Sequence, residues 1–497
     1  MKDLKERTLR GGIAKICAQG ASFILRVGSL MVLARLLDPK DFGLVGMVTA
    51  VTGVFGLFKD AGLSMATVQR ATITNEQVST LFWINMLVGM ILGLVSLAIA
   101  PVLASFYHEP RLFWVTAALA AGFLFNAAGV QHSALLQRQM NFTSLAVIEI
   151  ISLLVSIGVG IGLAIGGYGY WALVGMAVIS PAISSACLWS IATWVPGMPR
   201  RGVGIGSMLR FGSMATLNGL VVYIAYNLEK VLLGRYWGAE ALGMYGRAYQ
   251  LINVPTENLN SASGGIGFSA LSRLQDDPIR LRKYFLKGYS LILALTLPIT
   301  IACALFANEI VLIVLGPKWK DAILIFQLLS PTIMVFALIN PFSWLLYSIG
   351  LVGRSVKISL VITPLVIAAY VIGLPFGLTG VASAYSAVMT LWLVPHIAWC
   401  IHGTMISQRD IFTASSQPFL SAIVAGVFAF TVQFFFGHLL SPFLRLLLGG
   451  GTLFFSYLWM LLYVMGQKTF YLDLLRGLRK RSSGEAGEES IAVSWLS

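Results

Sequence analysis

The sequence predicts an all-α polytopic membrane protein of fourteen transmembrane helices, and three observations predict it. Of 497 residues, 57% are hydrophobic and only 11% charged, with a mean hydropathy of +0.83, whereas a soluble domain is about 25% charged. The apolar residues fall in runs of about 20, long enough for a helix to cross a hydrocarbon core of ~30 Å. Segments 200 positions apart also match, which divides the chain into two related halves. No charge-rich stretch is long enough for a soluble catalytic domain, so the work is expected inside the bilayer or at its surface.

Hydropathy places the first six spans near 13–36, 42–60, 80–103, 112–131, 146–166 and 171–194. A break at Pro196 to Gly206, with Arg200 and Arg201, precedes six more near 208–234, 241–260, 285–306, 321–349, 356–374 and 379–401. Two further spans, near 412–436 and 443–466, end at a charged tail. The expected organisation is therefore 1–200, 201–405, 406–466 and a basic tail 467–497. Residues 307–320 have room for a short interfacial helix. Gly166 to Tyr170 and Gly373 to Gly380 read as tight outer turns, where glycine permits positive φ. The tail from Lys468 to Arg481 mixes Phe470, Tyr471, Leu474, Leu475 and Leu478 with basic residues, suiting either anionic headgroups or a solvated flank.

Charge sets the orientation. Lys and Arg collect in cytoplasmic loops; with the N-terminus inside, the inner segments hold 23 of them and the outer segments six. A missed span would blur that asymmetry, so both termini are expected in the cytoplasm. The net charge of +14 thus reflects topology, and no nucleic-acid partner is expected. Met1 to Arg10 is too charged, and too directly joined to the first span, for a cleaved signal peptide. Cys17, Cys187, Cys303 and Cys400 sit far apart in apolar runs and read as buried thiols. The five histidines show no ligand spacing, so no metal is expected. Phosphate-cradling glycine motifs are absent, and no catalytic residues or cofactors are proposed.

The repeat is the next signal. Leu9-Arg10-x-Gly12 meets Leu209-Arg210-x-Gly212, and Ile24, Leu33, Arg35, Gly43 and Gly46 meet Ile224, Leu233, Arg235, Gly243 and Gly246. Eight of 38 positions match, where this composition gives roughly three by chance. Six spans, an even number, separate the copies, so both keep one orientation. Transporters built this way place the substrate near the midplane between the halves.

Ionisable residues within spans are costly, about 2.5–3.5 kcal/mol each on insertion scales, and mark function. In the first span Lys15, Gln19, Ser22, Arg26 and Ser29 stay within about 80° of arc at 100° per residue. Such a stripe either lines a water-filled cavity or makes an interhelix salt bridge. Arg35 and its repeat mate Arg235 lie near span ends and suit anchoring. Asn227, Glu229 and Lys230 mark the seventh span; Glu229 and Lys230 point about 100° apart and are expected to pair with other helices. Arg247, Gln250, Asn253, Glu257 and Asn260 form a second stripe, and Glu149 with Ser152 and Ser156 a third. Lys15, Gln19, Arg26, Lys230, Arg247, Gln250 and Asn253 are the candidate substrate-binding residues. Glu149, Glu229 and Glu257, with Asp60, are candidates for ion coupling or are salt-bridge partners. Cations in a low-dielectric cleft attract anions, and arginine suits phosphate through paired hydrogen bonds. Trp83, Tyr223, Tyr226, Tyr245 and Tyr249 are open to sugar stacking or to plain packing.

Several strings resemble the polysaccharide-flippase (Wzx-type) branch of the multidrug/oligosaccharidyl-lipid/polysaccharide exporter superfamily. They are Leu33-Ala34-Arg35-Leu36-Leu37-Asp38-Pro39-x-Asp41-Phe42-Gly43, Gly62-Leu63-Ser64 with Val68-Gln69-Arg70, and Leu135-Leu136-Gln137-Arg138-x-Met140-x-Phe142. The set continues through Asn227 to Arg235, Gly243-Met244-Tyr245-x-Arg247-Ala248-Tyr249 and Ala270 to Asp277. Glu229 stands where relatives often have Asp, and Gly264 to Ser269 lacks the proline expected before Ala270. The resemblance implies two pseudo-symmetric six-helix lobes around a central cavity plus two C-terminal helices. It implies a flippase, not an enzyme, in the bacterial inner membrane, moving an undecaprenyl-diphosphate-linked oligosaccharide by alternating access. The implied partners are that lipid-linked oligosaccharide and membrane lipids, with glycan polymerase or export machinery as a further candidate. Lys15 and Arg26 would meet the diphosphate. The alternatives are a cation-coupled multidrug exporter, whose cavity should favour acids, and a membrane glycan polymerase, which needs a larger outer loop than 307–320.

Overall fold

In the computed structural model every described regular element is helical. It describes residues 2–58, 64, 67–68, 73–200, 223–224, 226–436, 440–469 and 471, with the backbone alone for 2–17, 258–266 and 269. The Lys15 side chain, Asp60, the first part of the span at 208–234, the repeat partner at Leu209 to Gly212 and the tail beyond 471 lie outside the described residues.

The first unit comprises residues 1–246 together with 314–318. It holds α1 (Lys2–Leu36), α2 (Pro39–Phe58), α3 (Asn75–Phe106), α4 (Arg111–Arg138), α5 (Phe142–Ile165), α6 (Trp171–Ile191) and the start of α7 (Leu228–Arg273). Thr74 opens α3 with a capping box: its side chain accepts from the Gln77 N–H while Gln77 reaches back to the Thr74 N–H, satisfying donors a helix start leaves open. Asn141 does the same for α5, accepting from Ser144 at 3.3 Å. After α6 the chain runs extended and lies along α3. Gly197 N donates to Ser79 Oγ at 3.0 Å, Trp83 Nε1 to the Gly197 carbonyl at 2.9 Å, and Arg200 pairs with Glu76.

Small residues let these helices approach, as in membrane helix packing generally. A methyl group on Gly89 would sit 2.6 Å from Ala127 Cβ, and one on Gly160 would sit 2.4 Å from Met176. The closest approach joins the two repeats. A Cβ at Gly43 would lie 1.6 Å from the Ala239 carbonyl oxygen, and one at Gly243 would lie 1.9 Å from that of Pro39. Shifting the first pair by 200 positions gives the second with its members exchanged. Gly238, at φ 82, breaks the helical backbone of α7 just before this contact, between the spans the sequence placed at 208–234 and 241–260.

The second unit comprises 247–313 and 319–497. It holds the rest of α7, α8 (Pro278–Leu305), α9 (Ala307–Val314), α10 (Ala322–Leu329), α11 (Pro331–Ser348), α12 (Val352–Gly373), α13 (Gly377–Ile401), α14 (Gln408–Phe436) and α15 (Pro442–Trp459). The short α9 falls where the sequence left room for a helix at 307–320. Gly377 turns α12 into α13 at φ 74, while Gly167 and Gly169 turn α5 into α6 at φ 77 and 55.

The last two helices are fastened to this unit by polar contacts. Arg282 grips Asp410 with two nitrogens, Nε donating at 2.9 Å to Oδ2 and Nη2 to Oδ1. Arg445 reaches Glu309, 1% exposed, at 3.2 Å. Tyr457 donates to the Ala294 carbonyl at 2.9 Å; four residues on stands Pro298, which has no N–H for that carbonyl. Tyr457 therefore repairs a helical hydrogen bond that proline removes.

Among the described residues, ten stretches are long and apolar enough to cross a membrane, one of them Val352–Ile401, which contains both α12 and α13. The chain is thus a multi-pass membrane protein.

Candidate functional site

A cavity of about 940 Å³ lies inside the first unit, walled by α1, α4, α5 and α6. From α1 come Gln19 and Arg26, from α5 Glu149 and Ser152, from α4 Asn126, Ser133 and Gln137, and from α6 Ser180, Ser184 and Ser185. Two of the polar stripes legible in the sequence therefore face each other across water-sized space. Asn126, Ser133 and Gln137 make a further stripe, since offsets of 7 and 11 keep them within about 40° of arc at helical spacing.

Local structure supplies more polar groups. Pro181 lies in the wall with Ala177 one turn before it, and proline offers no N–H to the carbonyl of residue i−4. Pro181 thus leaves the Ala177 carbonyl without its usual i+4 donor, beside the three serines of this wall. The packing of α6 on α4 fixes their positions: Trp189 Nε1 donates to the Ala128 carbonyl at 2.9 Å, and Ser185 Oγ donates to that of Phe125.

The charged centre is a loose ion pair. Arg26 Nη2 stands 3.7 Å from Glu149 Oε1, with 66% and 53% of the two side chains exposed. Ser22 Oγ, one turn below Arg26, donates to the same oxygen at 3.3 Å, and Ser29 Oγ closes onto the Arg26 carbonyl at 2.9 Å. The sequence left Arg26 open between cavity lining and an interhelix salt bridge; it does both. Among the described residues of the wall, Arg26 and Glu149 are the only charged ones; the Lys15 side chain, expected beside Arg26, lies outside the described residues.

The other candidates lie elsewhere. Glu229 is buried at the start of α7 and is not among the cavity's lining residues. Lys230 donates to Asn227 Oδ1 at 2.7 Å, on its own segment and not to another helix as expected, because residues three apart share a face. In the second unit Arg247 donates to Gln250 Oε1; Asn253 is half-buried and Glu257 exposed on the same helix. Arg235 rests over the Phe106 ring at 5.6 Å, an anchoring contact. Trp83 and Tyr223 spend their polar atoms on backbone carbonyls, with Trp83 still 45% exposed, whereas Tyr245 is fully buried and packs.

The serines of α6 and the amides of α4 were not singled out from the sequence. A stripe test on those two spans is the signal that finds them.

A family model described as "Polysaccharide biosynthesis protein" matches residues 32–324. The lipopolysaccharide biosynthesis protein WzxC of Escherichia coli (strain K12) is 27% identical over 378 residues, covering 74% of this chain and 76% of its own. The teichuronic acid biosynthesis protein TuaB of Bacillus subtilis (strain 168) is 26% identical over 393 residues, covering 75% and 78%. Among solved structures, the lipid II flippase MurJ in an inward closed conformation matches with a TM-score of 0.72 at 14% identity, over 93% of this chain and 100% of that one. At that identity the likeness is one of fold.

Proposed function

The chain belongs to the polysaccharide biosynthesis protein family, and from this membership we propose that it is a flippase for lipid-linked oligosaccharides. It carries an undecaprenyl-diphosphate-linked oligosaccharide from the inner to the outer leaflet of the bacterial plasma membrane, as a carrier and not an enzyme. The names of its relatives support this, since WzxC is a lipopolysaccharide and TuaB a teichuronic acid biosynthesis protein, and the fold is that of a lipid II flippase.

The observation that carries the reading is Arg26 exposed on a hydroxyl- and amide-lined cavity. A polyprenyl tail can stay in lipid, but a diphosphate and its sugars cannot cross hydrocarbon unaided, because an unpaired charge there is prohibitively costly. Arg26 offers two parallel N–H groups to a phosphate, and the serines, Asn126, Ser133 and Gln137 replace water around sugar hydroxyls. Fourteen crossings, in two six-helix lobes over 1–200 and 201–405 plus two added helices over 406–466, would let such a cavity open to either side in turn. Both termini would then be cytoplasmic, and a glycan polymerase or export machinery would receive the product.

The test is transport by the protein in vesicles loaded with labelled lipid-linked oligosaccharide, read as accessibility of the glycan to an external glycosidase. Arg26→Ala should abolish translocation while leaving insertion intact. Wild-type rates in a stably inserted Arg26→Ala protein would overturn the role of Arg26, and no transport by the wild type would overturn the reading itself.

A further inference from the structure

The cavity that would receive an anion already contains one. Glu149 holds Arg26 through a single oxygen at 3.7 Å, the far limit of an ion pair, and Ser22 steadies that same oxygen at 3.3 Å. The contrast with Arg282 and Asp410 is informative, because there two nitrogens meet two oxygens in the forked geometry of a fastening. The Arg26–Glu149 contact has one prong, and more than half of each side chain faces open space. Such a pair is worth little in water-filled surroundings, so it yields readily to a better partner. A diphosphate diester is one: it bears two negative charges and presents oxygens in pairs to the guanidinium fork. Arg26 cannot serve both anions in full, since both approach the same N–H face.

We propose that Glu149 is an internal anion that occupies Arg26 in the empty cavity and is displaced by the diphosphate of an incoming ligand. This rests on the flippase reading and adds how the site is regulated. The carboxylate keeps Arg26 from holding chloride, which offers no forked contact to offset the loss of Glu149. It also limits how tightly the diphosphate binds, which a carrier needs if it is to release its cargo on the other side. Since the ligand replaces one contact of Arg26 with another, the arginine is never left unpaired during the exchange. The charged groups that face Glu149 from the described elements around it reduce to Arg26, because α4 and α6 contribute only amides and hydroxyls to this wall.

The experiment measures equilibrium binding of a farnesyl-diphosphate-linked disaccharide to the purified full-length protein in detergent, for the wild type and four variants. Glu149→Gln should tighten binding by about one-and-a-half- to fivefold, the range for exposed ion pairs. Glu149→Asp keeps the charge, retracts it by one methylene, and should give a smaller gain. Arg26→Ala should weaken binding, and adding Glu149→Gln to it should change nothing further. A gain of the same size in the Arg26→Ala background would mean that Glu149 acts through the general field and would overturn the proposal. Unchanged or weaker binding in both Glu149 variants would overturn it too, leaving the flippase reading intact. A wild type that does not bind the probe at all would sink that reading and this inference together.

Discussion

Replacing Gly43 with alanine puts a carbon 1.6 Å from the Ala239 carbonyl oxygen, 2.5 Å from its carbonyl carbon and 2.9 Å from its Cα. All three are backbone atoms, so no side chain can rotate aside; α2 and the Gly238–Gly246 segment of α7 must separate. Overpacking of this kind costs about 1–3 kcal/mol, and an immovable neighbour argues for the top of that range. Alanine's better helix propensity returns about 1 kcal/mol, leaving a net loss of about 2 kcal/mol. Gly56 lies on the same helix and has nothing within 4 Å of an added Cβ, so Gly56→Ala should gain about 1 kcal/mol from propensity alone. Gly243→Ala should resemble Gly43→Ala, because its Cβ would meet the Pro39 carbonyl at 1.9 Å. The double variant should fall short of additivity, since one separation of the helices relieves both clashes. Thermal unfolding in detergent, followed by loss of the monodisperse peak on size-exclusion chromatography, ranks the four proteins. If Gly43→Ala melts with Gly56→Ala, the reciprocal contact is not there and the argument fails.

Three further expectations follow from polar contacts. Arg445→Met strands Glu309 in a buried position, a loss of about 3–5 kcal/mol that a second change, Glu309→Gln, should largely restore; unfolding in detergent reads both. Tyr457→Phe leaves the Ala294 carbonyl without a donor opposite Pro298, so it should cost about 1–3 kcal/mol, and a neutral result would show that the carbonyl finds another partner. With the N-terminus inside, as proposed, Lys15 would lie nearer the cytoplasm than Arg26, so Lys15→Ala should impair glycan translocation less than Arg26→Ala; equal defects in the glycosidase assay would contradict that order.

The stripe Gln19, Ser22 and Arg26 was legible because helical periodicity acts within one chain segment, and charge in an apolar run has few explanations. Glu149 and Ser152 were legible on the same grounds. What the sequence could not say was that these two stripes meet, since helices 127 residues apart, as Ser22 and Glu149 are, are joined only by packing. Nor could it distinguish a cation lining a cavity from one in an ion pair, because the difference is the 3.7 Å that the fold leaves between Arg26 and Glu149. Lys230 shows the reverse failure: its partner Asn227 was three residues away, and adjacency to Glu229 drew attention to longer-range pairing.

The amino-acid order by itself determined that the chain is helical and crosses a membrane, because in hydrocarbon a backbone must satisfy its own hydrogen bonds and an apolar run of sufficient length does so as a helix. It also shows eight identities between residues 9–46 and the segment 200 positions on. Only the tertiary structure decided what the repeated glycines are for. Gly43 and Gly243 are ordinary in sequence, but each receives the backbone of the other's neighbourhood, and steric exclusion between backbones is a property of two segments brought together. The pairing of charges in the described wall was decided in the same way: one helix contributes a guanidinium, another a carboxylate, and the fold sets them side by side.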